Sequence, residues 1–164
     1  VIARFMPVII LLGLTILFGW LLTSPPAERK AITAIKPLPV IDLPALDETA
    51  QAWPRNEWFL VNFFASWCVP CAVESPQLDE LHRSGLPIIG IAYKDSKVMT
   101  RAFLKQYGNP FHFILVDDKG AAAIPFGISG VPESFLVNPQ GDIVWHFAGP
   151  LLDKQVDEVR NAMR

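Results

Sequence analysis

Cysteine is scarce: the 164-residue chain has two, Cys68 and Cys71. Two cannot form the dense framework that staples small secreted domains, which leaves catalysis or metal binding as their main roles. Basic clusters are also missing, and the formal net charge is only -2. Nothing electrostatic therefore points to nucleic acid or to an anionic membrane surface as a partner, and recognition has to come from a local site. There is no internal repeat and no low-complexity tract. The length fits one compact domain behind a dissimilar N-terminal stretch.

That stretch holds the one long uncharged run, FMPVIILLGLTILFGWLL from Phe5 to Leu22. At 1.5 Å per residue it makes about 27 Å of helix, just enough for a hydrocarbon core. Residues 1–23 are thus expected to be a transmembrane signal-anchor contacting lipid, with Trp20 at an interface. Two alternatives stay open. Arg4 would suit a cleaved secretory signal, although Thr23-Ser24-Pro25-Pro26 offers no small-x-small cleavage site; a buried helix is the other. Arg4 on one side, and Arg29 and Lys30 offset by Glu28 on the other, leave the orientation undecided by charge. Four prolines and several charges between Ser24 and Pro39 predict an extended linker over 24–36, followed by a domain over 37–164.

Within that domain, Trp58 to Ala65 (WFLVNFFA) is a nearly continuous apolar run, as expected of a central strand covered on both faces. A helix is predicted from Val69 to Ser84, kinked by Pro76 and ended by Gly85-Leu86-Pro87. Ile88 to Tyr93 reads as a second buried strand. Asp95 or Ser96 can cap the next helix, which stops at Gly108-Asn109-Pro110. Strands are expected at Phe113–Val116, Ser134–Val137 and Ile143–Phe147, the last two joined by a turn over 138–142, and a final helix at Leu152–Met163. This order predicts an α/β sandwich with a mixed sheet.

The chemistry centres on Trp67-Cys68-Val69-Pro70-Cys71, where a strand gives way to a helix. A helix N-terminus favours thiolate over thiol, which makes Cys68 the nucleophile. Cys71, one turn on, is placed to be shielded and to attack a mixed disulfide formed at Cys68. Zinc would need further ligands, and His82, His112 and His146 lack paired spacing; covalent haem would need histidine where Ala72 stands. No metal is expected. A purely structural disulfide would close too small a loop for much entropic gain.

The strand, the WCxxC motif, the helix with Pro76 and the later Gly130-Val131-Pro132 before a strand resemble the thioredoxin family, over about Pro37 to Arg164. More closely, VNFFASWCVPCAVE, GIAYKDS and GVPESFLVNPQG are similar to the periplasmic thiol:disulfide interchange proteins of cytochrome c biogenesis, the DsbE/CcmG type. The resemblance implies a thioredoxin-like three-layer sandwich. It also implies a cis Pro132 facing the cysteines, with the Val131 backbone free to pair with an extended substrate. Thioredoxins generally carry a buried aspartate six residues before the first cysteine, whereas Asn62 stands here and cannot accept a proton. The resemblance moves that role to Glu74 or Glu133, Glu74 being favoured for its closeness to Cys71; solvated surface acids are the plain alternative for both. It also suggests a Tyr93 hydroxyl in the same neighbourhood. Trp67 is expected to cover the thiolate and contact substrate, with edge packing as the alternative.

The function implied is a protein-disulfide reductase with no cofactor beyond the redox-active Cys68–Cys71 pair. Its partners would be apocytochrome c, or a thiol-bearing maturation protein, and a membrane electron-relay protein that re-reduces it. Its expected place is the bacterial inner membrane, single-pass, with the C-terminal domain in the periplasm. A general oxidant of secreted proteins is the first alternative, but Val69-Pro70 puts no histidine between the cysteines to stabilise a thiolate. A non-catalytic thioredoxin-like binding or chaperone module is the second.

Overall fold

The computed structural model describes residues 2–23, 35–47 and 52–164, so most of the expected linker, 24–34, lies outside the described residues. Ile2–Thr23 forms helix α1. Its contiguous described side chains cover only 10–19. Among the described residues no helix is long and apolar enough to cross a membrane.

Six strands make one mixed sheet in the order β1-β6-β5-β2-β3-β4. They are β1 (Lys36–Pro37), β2 (Phe59–Phe64), β3 (Ile88–Tyr93), β4 (Phe113–Asp117), β5 (Glu133–Val137) and β6 (Asp142–Ala148). β2, β3 and β4 run parallel, while β5 lies antiparallel on the other side of β2. Every residue of β2 is buried, as its unbroken apolar sequence requires of a strand covered on both faces. In β3, a Cβ at Gly90 would stand 2.9 Å from the Phe111 ring. Glycine there allows Phe111 to stack on Phe64.

The period of two in the strands divides the core into two layers. Leu60, Phe64, Ile88 and Leu136 face Leu78, Leu81, Phe103, Val156 and Val159 from the helices on one side. Those helices are α2 (Val69–Val73), α3 (Ser75–Arg83), α4 (Lys97–Tyr107) and α6 (Asp153–Ala162). On the other face Val61, Phe63, Ile91 and Phe135 pack against Phe126 of the short α5 (Ala123–Phe126), with Leu38, Ile41 and Leu43 alongside.

Two departures from the sequence expectation matter. The expected helix from Val69 to Ser84 is two helices, broken at Glu74, because Pro76 has no N–H to donate to the preceding turn. The sheet also starts at Lys36, inside the stretch assigned to the linker, where Lys36 and Pro37 pair with Ile143 and Asp142. A proline is tolerated there because β1 is an edge strand.

Candidate active site

Cys68 and Cys71 form a disulfide with Cα atoms 5.3 Å apart. Cys68 is the N-cap of α2, and its sulfur accepts the backbone N–H of Cys71 at 3.2 Å. Both cysteines are buried, so exposure of the sulfurs does not by itself rank them. Their flanks do differ: Trp67, Val69 and Pro70 around Cys68 are exposed, whereas after Cys71 Ala72 is half-buried and Glu74 and Ser75 are buried, with Val73 exposed. α2 has only five residues, so local N–H groups rather than a long helix dipole act on Cys68.

The loop feeding the cysteines is braced from β3. Asp95 is buried; its Oδ2 accepts the Ser66 N–H at 2.7 Å and its Oδ1 the Ser66 hydroxyl at 2.9 Å. The sequence marked Asp95 only as a possible helix cap. Ser96 is the actual cap of α4, accepting the Met99 N–H. Trp67 donates its indole N–H to the Lys94 carbonyl at 3.2 Å and stays 59 % exposed, which fixes the ring while leaving it open to a partner.

Glu74 is not a solvated acid. The break between α2 and α3 turns its side chain inward, where it is fully buried. One carboxylate oxygen accepts from Asn62 Nδ2 at 2.9 Å and the other from the Leu151 N–H at 2.9 Å. Burial outweighs these two bonds and pushes the Glu74 carboxyl up from 4.5 to about 7. A group poised there can take a proton near neutral pH and give it back. Asn62, equally buried, reaches the Ser134 hydroxyl at 3.0 Å with the same Nδ2.

Glu133 is buried too, but to another end. Its Oε1 accepts the N–H and hydroxyl of Ser129 and the N–H of Gly130, and its Oε2 lies 2.7 Å from His146 Nε2. Burial raises its pKa, yet bonds from His146, Ser129 and Gly130 prevail and hold the carboxyl below its ordinary value. It is therefore a clamp on the loop before Pro132 rather than a base poised for neutral pH. A lowered value adds stability above the ordinary carboxyl value of 4.5, and that stability is lost as acid protonates Glu133. Glu133→Ala takes the charged acceptor away from these part-exposed donors and should cost about 2 kcal/mol at pH 7. Urea unfolding at pH 7 and pH 4 checks this, the deficit shrinking in acid.

The Val131–Pro132 peptide is cis. The register Phe63↔Glu133 carries it to the end of β2, from which the chain turns into Trp67 and Cys68. Among the described residues nothing bonds to the Val131 N–H or carbonyl, while the Pro132 carbonyl accepts from Gly149. Tyr93 is not brought to the cysteines in the same way. Its ring packs with the layer on the opposite face of the sheet, under Lys94 Nζ at 5.2 Å. Among the described residues no three His, Cys, Asp or Glu side chains gather where a metal could sit.

The redoxin family pattern matches residues 39–163 of this chain. The thiol:disulfide interchange protein DsbE of Pasteurella multocida is 36 % identical over 139 residues, 82 % of this chain and 76 % of that one. The chain belongs to the DsbE-type thiol:disulfide interchange proteins. The thiol:disulfide interchange protein CycY of Rhizobium leguminosarum bv. viciae is 45 % identical over 109 residues; the match spans 66 % of this chain and 57 % of CycY. Among solved structures, a DsbF homologue from Corynebacterium diphtheriae superposes with a TM-score of 0.71 at 21 % identity, over 85 % of this chain and 97 % of that one, and shares the fold. Like its DsbE-type relatives this chain is a thiol:disulfide oxidoreductase, and the sandwich described above is the thioredoxin-like fold.

Proposed function

We propose that this DsbE-type chain is a membrane-anchored periplasmic reductant of disulfides in apocytochrome c or in a thiol-bearing maturation partner. Cys68 thiolate attacks one sulfur of the partner's disulfide and expels the other as thiolate. Cys71 then gives its proton to Glu74 and attacks Cys68, releasing the second partner thiol. The partner gains two electrons and the chain is left as the Cys68–Cys71 disulfide. The observation that carries this cycle is the fully buried Glu74, three residues beyond Cys71, with its carboxyl held by Asn62 and by the Leu151 N–H. Val131, with its unpaired backbone, would hold the partner's extended segment as an added strand beside Pro132. Trp67 would cover the attacked sulfur.

The dipeptide between the cysteines favours reduction of the partner. Val69-Pro70 adds no charge to stabilise the Cys68 thiolate, and without such stabilisation a dithiol remains a reductant. An oxidising periplasm would then require a membrane protein to return electrons to the pair. The anchor follows from the uncharged run Phe5–Leu22 in α1, and the exposure of Ile10, Leu11, Leu14, Ile16, Leu17 and Phe18 supports it. Confinement at the membrane raises the effective concentration of both electron donor and acceptor. A redox titration of Cys68–Cys71 against glutathione tests the direction. The expected potential lies well below the value of about -120 mV typical of strong oxidants; a value near that would make the chain an oxidant.

A further inference from the structure

We propose that Asn62 is a positioning residue that keeps Glu74 ionisable, by presenting its amide N–H groups to the carboxylate. This rests on Glu74 being the proton acceptor of Cys71. Asn62 sits in β2 between Leu60 and Phe64, on the face that carries both cysteines. Its Nδ2 serves two acceptors at once, Glu74 Oε1 at 2.9 Å and the Ser134 hydroxyl at 3.0 Å. Its Oδ1, also buried, has no partner among the described residues. An amide that leaves its carbonyl unpaired is oriented by what its nitrogen meets. The reverse orientation would set Oδ1 against the carboxyl and suit only a protonated Glu74, whereas here both carboxyl oxygens accept N–H groups, from Asn62 and from Leu151. The arrangement is therefore built around the charged form of Glu74, and a charge-assisted bond favours that form.

Among the described residues the Glu74 carboxyl takes its hydrogen bonds from neutral groups, the Asn62 amide and the Leu151 N–H. From β5 the facing group is the Ser134 hydroxyl, and from the loop before α6 it is the Leu151 N–H. Asp153 on α6 binds Gln77, Lys154 follows it, and Asp79 on α3 pairs with Arg83 in solvent. Glu133 belongs to the opposite layer, held by His146. The cysteines carry no charge while joined, and Cys71 is the proton donor once reduced. An aspartate at 62 would confront Glu74 with a second acid, whereas asparagine lets one carboxyl serve alone.

The test follows the second release of thionitrobenzoate after the reduced full-length chain meets the aromatic disulfide reagent that delivers it. The first release loads Cys68, and the second reports attack by Cys71. Plotted against pH, the parent should show an inflection near the Glu74 value of about 7. Asn62→Leu should move that inflection up by about one pH unit, making resolution about fivefold slower at pH 7. The rate at the alkaline plateau should stay within about twofold of the parent. Asn62→Ala, which adds neither bulk nor a second acid, should move the inflection the same way if Asn62→Leu folds poorly. Infrared titration of the buried carboxyl in the oxidised chain gives the same shift without any turnover.

A lowered plateau with an unmoved inflection would make Asn62 merely structural and overturn the proposal. Glu74→Gln separates the two readings. If it abolishes the inflection, Glu74 is the acceptor and the Asn62 variants decide alone. If the inflection survives Glu74→Gln, the base assignment falls and this inference falls with it.

Discussion

Glu74→Gln is expected to slow resolution at Cys71 about a hundredfold near pH 7, the usual worth of a positioned base, while making the oxidised chain harder to unfold at pH 8. The two effects share one cause. Glu74 is fully buried, and its carboxyl is pushed from 4.5 to about 7. A raised value in the folded state adds stability below the ordinary 4.5 and loses it as pH climbs through about 7, where folding must bury a charge. That gap corresponds to about 3 kcal/mol. Glutamine carries no charge at either pH. Its carbonyl can still accept from Leu151, and a reversed Asn62 amide can meet its NH2 with the Oδ1 that is now unpaired. The variant should therefore match the parent at pH 5 and exceed it by up to about 3 kcal/mol at pH 8. Urea unfolding at both pH values, with stopped-flow resolution at pH 7, reads both effects. Equal resolution rates would remove Glu74 from the mechanism.

Cys68→Ala should abolish exchange altogether. Cys71 cannot replace it, because Cys71 is the more buried of the two and is followed by the buried Glu74 and Ser75, whereas Cys68 lies among the exposed Trp67, Val69 and Pro70. In cells making c-type cytochromes the variant should leave assembly failing, with an added thiol reductant restoring it by doing the same reduction in solution. Normal assembly with Cys68→Ala would take exchange at Cys68 out of cytochrome c assembly.

Much of this was legible in the sequence because it depends on short-range patterns. The apolar runs at Phe59–Phe64 and Ile88–Tyr93 announce buried strands, and Ser96 announces the start of α4. Asn138-Pro139-Gln140-Gly141-Asp142 announces a turn, which forms with Asn138 Oδ1 accepting the N–H groups of Gln140 and Asp142. The WCVPC motif located the reacting sulfurs. What escaped depends on distant partners or very short elements. α5 spans four residues and contains a proline, too little for helical periodicity to register. β1 is two residues, one of them proline.

The site divides along the same line. Cys68 and Cys71 are named by their spacing, but the burial of Glu74 depends on Leu151, 77 residues away, and an acid is ordinarily expected in solvent. Glu133 could be placed near Pro132 from the sequence, but its role as a clamp needs His146 from the adjacent strand. Asp95 read as a possible cap, and only the fold shows both its oxygens gripping Ser66 ahead of the cysteines. Tyr93 has the right strand position, but the strand's alternation turns its ring to the other layer.

In the proposed cycle Cys68 attacks and Cys71 resolves on behalf of a partner in cytochrome c assembly. Capture of mixed disulfides by the Cys71→Ser chain in native membranes tests it most directly, since serine cannot expel what Cys68 has bound. The expected result is a reductant-sensitive adduct on Cys68 containing apocytochrome c or a thiol-bearing maturation protein, absent when Cys68 is also replaced. Adducts that persist without Cys68, or no adduct at all, would contradict it.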